Sequence, residues 1–142
     1  MSIFSTILKL HQDIYEATDR RLGHKMLGVP TLLLRTTGRK SGLERTSALI
    51  YIDDGKGNKV VVASNNGEAK PPAWLLNLKA KPNVEFQINR DCFQATAEVV
   101  EKDNPEYQRL WQQHNEHNAD RYDQYQSMTE RAIPLVRMVP KR

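Results

Sequence analysis

Thr31-Leu-Leu-Leu-Arg-Thr-Thr-Gly-Arg-Lys-Ser-Gly-Leu-Glu-Arg-Thr-Ser-Ala-Leu-Ile-Tyr-Ile52 holds the most informative segment of the chain, Arg35 to Gly42, between two apolar runs. Its apolar start, Thr31 to Leu34, and its β-branched end, Thr46 to Ile52, are both strand material. Gly38 and Gly42 bracket a short tip, Arg39-Lys40-Ser41, between them. Two strands joined by a glycine-bounded basic loop are therefore expected. Such a loop can aim backbone N–H groups, a hydroxyl and two cations at one place, which is the chemistry of an anion cradle.

Further strands are predicted near 59–64, 84–90 and 92–101, beside those near 30–37 and 45–53. Asp54-Gly-Lys-Gly-Asn58 is a turn between the second and third, and the pair Asp53-Asp54 reads as turn chemistry rather than acid–base catalysis. Val84 to Ile88 and Phe93 to Val99 alternate apolar and polar residues, with Asn89, Arg90 and Asp91 as the turn between them. Short strands at this spacing suggest a small antiparallel barrel or sandwich. Pro71-Pro72 should start a short helix over Ala73 to Ala80, which Pro82 stops. Asp103-Asn104-Pro105 resembles a helix cap with proline in the first turn, ahead of a face made by Tyr107, Leu110, Trp111 and His114. A second helix around 119–131 carries Tyr122 and Tyr125. Ile133 to Val139 reads as a final strand, at a sheet edge because of Pro134.

The first residues have a helical period: Ile3, Phe4, Ile7, Leu8, His11, Ile14, Tyr15 and Thr18. We assign residues 1–22 to an amphipathic helix and 23–142 to a single β-barrel domain. Packing on the domain is the simpler role for that helix, and weak association with a membrane surface is the alternative.

The 142 residues are 39% hydrophobic and 27% charged, which suits one globular domain with a real core. The net charge of +4 is a mild excess that favours small anions and does not argue for nucleic acid. No apolar run approaches the roughly 18 residues of a membrane span, and no signal-peptide pattern opens the chain. A cytoplasmic location is expected, with a peripheral position at the inner membrane face as the alternative. The one cysteine, Cys92, reads as a buried or idle thiol.

Common catalytic motifs are missing. No G-x-G-x-x-G follows a strand, and Gly38-Arg-Lys-Ser-Gly42 lacks P-loop spacing. His114 and His117 stand three apart but imply no further metal ligand, so no metal site is assigned. No nucleophile announces itself, so a cofactor is expected to carry any chemistry.

Three polar, small-residue segments remain at strand ends. They are Gly38 to Gly42 with Arg45, Val62-Ala-Ser-Asn-Asn-Gly67, and Pro72-Ala-Trp-Leu-Leu-Asn-Leu-Lys79. One shared site would explain all three. Arginine and lysine hold phosphate or carboxylate, small residues at Ala63 and Ser64 let a flat ring approach the backbone, and a helix N-terminus favours nearby negative charge.

The ordered motifs TTGRKSG-x-x-R (from Thr36), VAS-x-x-G (from Val62) and P-x-W-x-x-NLKA-x-P (from Pro72) resemble the deazaflavin-dependent nitroreductase family. So does the stretch from Tyr122 to Pro134, and the resemblance covers about Thr31 to Pro140. It implies a split β-barrel of the flavin-reductase, FMN-binding type, mainly β with flanking helices. It also implies coenzyme F-420, a deazaflavin with a phosphate and an oligoglutamate tail; FMN is the alternative cofactor. Carried onto this chain, Arg39, Lys40 and Ser41 would hold the phosphate and tail, and Arg45, Thr46 and Ser47 would continue that wall. Ala63, Ser64 and Asn65 would lie near the ring; Ala73, Trp74 and Asn77 would complete the pocket, with Lys79 a further tail contact. Tyr122 and Tyr125 match positions bordering ring and substrate.

The implied activity is hydride transfer from the reduced deazaflavin to an enone, a coumarin-like lactone, a quinone or a nitroaromatic. Ser64 is the first candidate to polarise the acceptor oxygen; Tyr122 or Tyr125 is the second, and either a tyrosine or water supplies the proton. Ala48, Ile50 and Asn66 depart from the family's frequent Pro, Tyr and Gly, and the first two are expected on the substrate side. Nitroimidazole reduction is therefore not implied. A non-catalytic binding protein is the rival class, and both monomer and homodimer stay open.

Overall fold

The computed structural model describes residues 30–117 and 120–141. The N-terminal helix expected over 1–22 lies outside them, and with it the membrane-surface alternative. The order of elements is β1 (Thr31–Thr37), β2 (Glu44–Asp53), β3 (Lys59–Val62), a 3-10 turn (Asn65–Gly67), α1 (Ala73–Ala80), β4 (Asn83–Ile88), β5 (Asp91–Val100), α2 (Tyr107–His117), α3 (Arg121–Ser127) and β6 (Leu135–Pro140).

The strands close into an antiparallel barrel in the order β1-β2-β3-β6-β5-β4. This is the split β-barrel. Register follows from alternation: Leu32 and Leu34 point inward, opposite Leu49 and Ser47 of β2, while Phe86 and Ala95 supply the inner faces of β4 and β5. Trp74, Leu75 and Leu78 of α1 join this inner core. A second core lies on the outer face, where Ile52, Val60, Val62 and Leu135 are covered by Tyr107, Leu110 and Trp111 of α2 and Tyr122 of α3. Each such aliphatic or aromatic side chain contributes about 1.5–3 kcal/mol on burial. Among the described residues no helix is long and apolar enough to cross a membrane.

Several expectations are corrected. The last strand is not at an edge: β6 pairs with β3 on one side and β5 on the other. Pro134 stands just before the strand, where its missing N–H costs no ladder bond, and its carbonyl accepts the Ala63 N–H at 3.0 Å. The helix after Asn104 begins at Tyr107 rather than at Pro105, because the Asn104 side chain and carbonyl accept the N–H groups of Glu106 and Tyr107 and form a turn first. The next helix ends at Ser127, well short of residue 131. Cys92 is exposed on β5, not buried.

Asp54 does serve the turn. It accepts the N–H groups of Lys56 and Asn58 at 2.7 and 3.1 Å and lies 3.7 Å from Arg137. The two outer helices are tied by Asn115, whose side-chain oxygen accepts the N–H groups of Tyr122 and Asp123 at 3.1 Å, and by Trp111 donating to Asp123 at 2.7 Å.

Candidate functional site

The β1–β2 loop is set by its own backbone. Gly38 N–H donates to Leu43 O at 2.7 Å and Gly42 N–H to Gly38 O at 2.8 Å. Gly42 has φ +73°, a left-handed conformation that glycine adopts freely. The Ser41 hydroxyl oxygen accepts the Leu43 N–H at 3.1 Å, and a Cβ on Gly38 would stand 2.7 Å from it. The loop is thus compact, and Arg39, Lys40 and Ser41 are exposed at its tip.

A cleft of about 320 Å³ opens between this loop and α1, lined by Gly38, Arg39, Lys40, Ser41, Arg45, Ser47, Ala73, Trp74 and Asn77. Two of the sequence motifs therefore meet. Arg45 and Ser47 share one face of β2 with Leu49 and Tyr51, which pack on the inner core, so the cleft is where the barrel's inner face opens. Ala73 and Trp74 form the first turn of α1, which carries no acid.

Asn77 links the two walls. Its side-chain oxygen accepts both the backbone N–H of Arg39 and a guanidinium N–H of Arg39, each at 3.1 Å. Its amide donates to the buried Thr36 hydroxyl at 3.4 Å. Asn77 is itself buried, so it aims Arg39 from below. Among the described residues, Arg39, Lys40 and Arg45 make no ion pair. Three cations gathered at one mouth suit a ligand with several negative charges.

The other site candidates lie elsewhere. Thr46 stands between Arg45 and Ser47 in the strand and so faces away from the cleft. Lys79 is exposed and 3.9 Å from Glu101, outside the cleft lining. Ala48 is buried against Leu33, and strand alternation puts Ile50 on that same outward side, so these departures from the family pattern do not line the cleft.

Ala63, Ser64 and Asn65 form a second group together with α3. Ala63 shares the inner core with Trp74, and the Asn65 side chain donates to Lys70 O at 2.8 Å, just ahead of α1. Gly67 packs under α3; a Cβ there would lie 2.8 Å from Tyr125 O. The Tyr122 ring is buried in the outer core, edge-on to His114 and to Tyr125. Burial pushes its phenol pKa far above the ordinary tyrosine value. Burial also raises that of Tyr125, which is less enclosed. His114, whose Nε2 lies 2.9 Å from Val60 O, is held in the same core. The described residues contain no group of three His, Cys, Asp or Glu able to hold a metal.

Gly38, expected at the start of the cradle segment, does line the cleft. One feature escaped sequence reasoning. Arg131 reaches back to Ala63, Ser64 and Glu68, a contact across more than sixty residues with no local signature.

The pattern that defines the F-420H2-dependent quinone reductases matches residues 7–140. A quinone reductase of that name from Mycobacterium tuberculosis (strain ATCC 25618 / H37Rv) is 47% identical over 131 residues, which is 92% of this chain and 87% of the relative. A solved F-420H2-dependent reductase, FDR-A, superposes with a TM-score of 0.67 at 34% identity, covering 77% of this chain and 93% of the other. A further structure, described as a domain-swapped dimer, gives 0.68 at 32% identity over 89% of this chain and 97% of its own. With its barrel, its basic cleft and these likenesses, the chain belongs to the F-420H2-dependent quinone reductase family.

Proposed function

We propose that this protein uses reduced coenzyme F-420 to reduce a quinone, with enones and nitroaromatics as further candidate acceptors. The observation that carries this reading is the set of three cations, Arg39, Lys40 and Arg45, gathered around one cleft with no acid partner among the described residues. A single phosphate, as in FMN, would leave part of that charge unmatched; a phosphate followed by an acidic tail would match it. The likeness to quinone reductases supports a quinone as the acceptor.

When bound, the reduced deazaflavin supplies a hydride to an electrophilic centre. The residues of this chain supply position and field. Arg39, fixed by Asn77, offers its remaining N–H groups to an anion; Lys40 adds a point charge and Ser41 a hydroxyl. Trp74 offers an apolar wall beside Ala73. Ser64, which follows the inner-core residue Ala63, is the proposed donor to the acceptor oxygen, where a well-aimed hydrogen bond is worth about 2.7–4 kcal/mol of barrier. Of the tyrosines, Tyr125 is the better-placed proton donor, since Tyr122 is buried and its pKa is pushed up strongly. Solvent is the alternative source.

The test is oxidation of reduced F-420 by purified protein with a soluble quinone, beside reduced FMN as donor. Turnover with the deazaflavin and none with FMN is expected. Turnover with FMN alone, or deazaflavin binding without any acceptor being reduced, would overturn the reading.

A further inference from the structure

Arg131 sits between α3 and β6, outside the cleft. Its backbone is fixed by Gln126, which donates to Arg131 O at 2.7 Å and accepts the Ile133 N–H at 2.9 Å. Its guanidinium then reaches three carbonyls of one loop. Nε donates to Glu68 O at 3.1 Å, both terminal nitrogens to Ala63 O at 3.3 Å, and one of them also to Ser64 O at 2.8 Å. Among the described residues it makes no ion pair, so these carbonyls are its main partners. A planar fork of five donors can gather several carbonyls that way; an ammonium group, with three donors and no fixed plane, holds them less completely.

The loop so gathered is strained. Asn65, Asn66 and Gly67 have φ of +46°, +58° and +77°, three successive left-handed residues of which only one is glycine. Such conformations persist where the surroundings over-determine them, and they cluster at ligand sites. Converging carbonyls on the concave side repel one another unless a cation holds them. Asn65 in turn ties the loop to Lys70 O, at the approach to α1 and the cleft.

We propose that Arg131 is a positioning residue: it locks the Ala63–Glu68 loop so that Ser64 is presented in one orientation to the reacting end of the site. This rests on the reading of Ser64 as the group facing the acceptor. Arg131 touches neither the cradle nor its cations, so its loss should affect the chemical step more than cofactor capture.

The experiment compares wild type with Arg131→Gln and Arg131→Lys in the full chain. Hydrogen exchange of the Asn66–Glu68 amides, measured without cofactor, should speed up at least about tenfold in Arg131→Gln while barrel amides hold. With reduced deazaflavin and a soluble quinone, kcat should fall about tenfold or more while KM for the deazaflavin stays within about threefold. Arg131→Lys should recover part of kcat. Unchanged exchange in both variants overturns the clamp, and so does faster exchange with wild-type kcat. A rise in KM that accounts for the whole loss would make the loop a binding element. Loss of fold in both variants, read by circular dichroism, would make Arg131 a folding residue; either outcome overturns the proposal. A wild type without turnover would instead sink the functional reading, and the exchange arm would still decide the clamp.

Discussion

Replacing Asn77 by Leu keeps the size of a buried side chain and removes the oxygen that holds Arg39. Two hydrogen bonds to that oxygen are lost, one from a backbone N–H and one from a guanidinium. A neutral bond contributes about 0.5–1.5 kcal/mol and a charged one about 1.5–3 kcal/mol. Arg39 is exposed, so water can reach the freed groups and the low end applies. The expected loss is about 2 kcal/mol of stability, or roughly 4–8 °C in melting temperature for a domain of this size. Arg39 would also have to be ordered anew at each binding event, costing about 0.5–1.5 kcal/mol, or roughly a twofold to thirteenfold loss of deazaflavin affinity. Asn77→Asp is the control. It keeps the acceptor and so should keep the Arg39 contacts, but it gives up the amide donor to buried Thr36, and its carboxylate would neutralise Arg39 and weaken affinity at least as much. Thermal melts and a cofactor titration at fixed low salt read both effects. Wild-type affinity in Asn77→Leu, with a lowered melting temperature, would refute the claim that Asn77 prepares Arg39 for the ligand.

Other outcomes follow from the same geometry. Arg39→Ala with Lys40→Ala should weaken deazaflavin binding by about 2–3 kcal/mol, roughly 30–150-fold, and flatten its salt dependence; an unchanged titration would remove the loop from the cradle. Gly67→Ala should cost about 1–3 kcal/mol by denaturant midpoint, because φ is +77° and the new Cβ would press on Tyr125 O at 2.8 Å. Acid should destabilise the fold. Burial alone would raise the Asp54 pKa, but hydrogen bonds from Asn58 and Lys56 and the charge of Arg137 outweigh it and leave it lowered. Glu106 is lowered chiefly by its hydrogen bond from Arg137, 2.7 Å away. Carboxyls depressed in the folded state stabilise it above their unfolded values and lose that contribution as pH falls through the folded ones. Melting temperature should therefore drop as pH falls below about 4. Arg137→Met should cost about 3 kcal/mol at neutral pH by leaving buried Asp54 without its cation, and a melt within a degree of wild type would contradict that network.

Most of the barrel was legible because its strands alternate: Val84 to Ile88 and Phe93 to Val99 each put one face inward, as β4 and β5 do. The cradle was legible because glycines bracket Arg39-Lys40-Ser41 and because α1 is announced by two prolines. Pro134 misled, since one residue decides whether a proline interrupts a strand or precedes it. Helix ends were blurred by side chains that cap turns, as Asn104 does. Which face of β2 meets the cleft could not be read, and Thr46 and Ala48 fell on the other side from Arg45 and Ser47. Tyr122 illustrates a deeper limit: a helical tyrosine beside a site and one buried beneath it have the same local sequence, and only packing on Trp111 and His114 separates them. Arg131 was illegible for the same reason, because its partners are distant carbonyls that belong to every residue type.

Selection of a long, many-charged deazaflavin by the Arg39–Lys40–Arg45 cleft is measured by equilibrium dialysis of the wild-type protein against coenzyme F-420, the same deazaflavin without its glutamate tail, and FMN. The expected order is tailed cofactor tightest, by about tenfold or more over the tailless form at low salt, with FMN weakest. FMN binding as tightly as the tailed deazaflavin, or no difference on removing the tail, would contradict it.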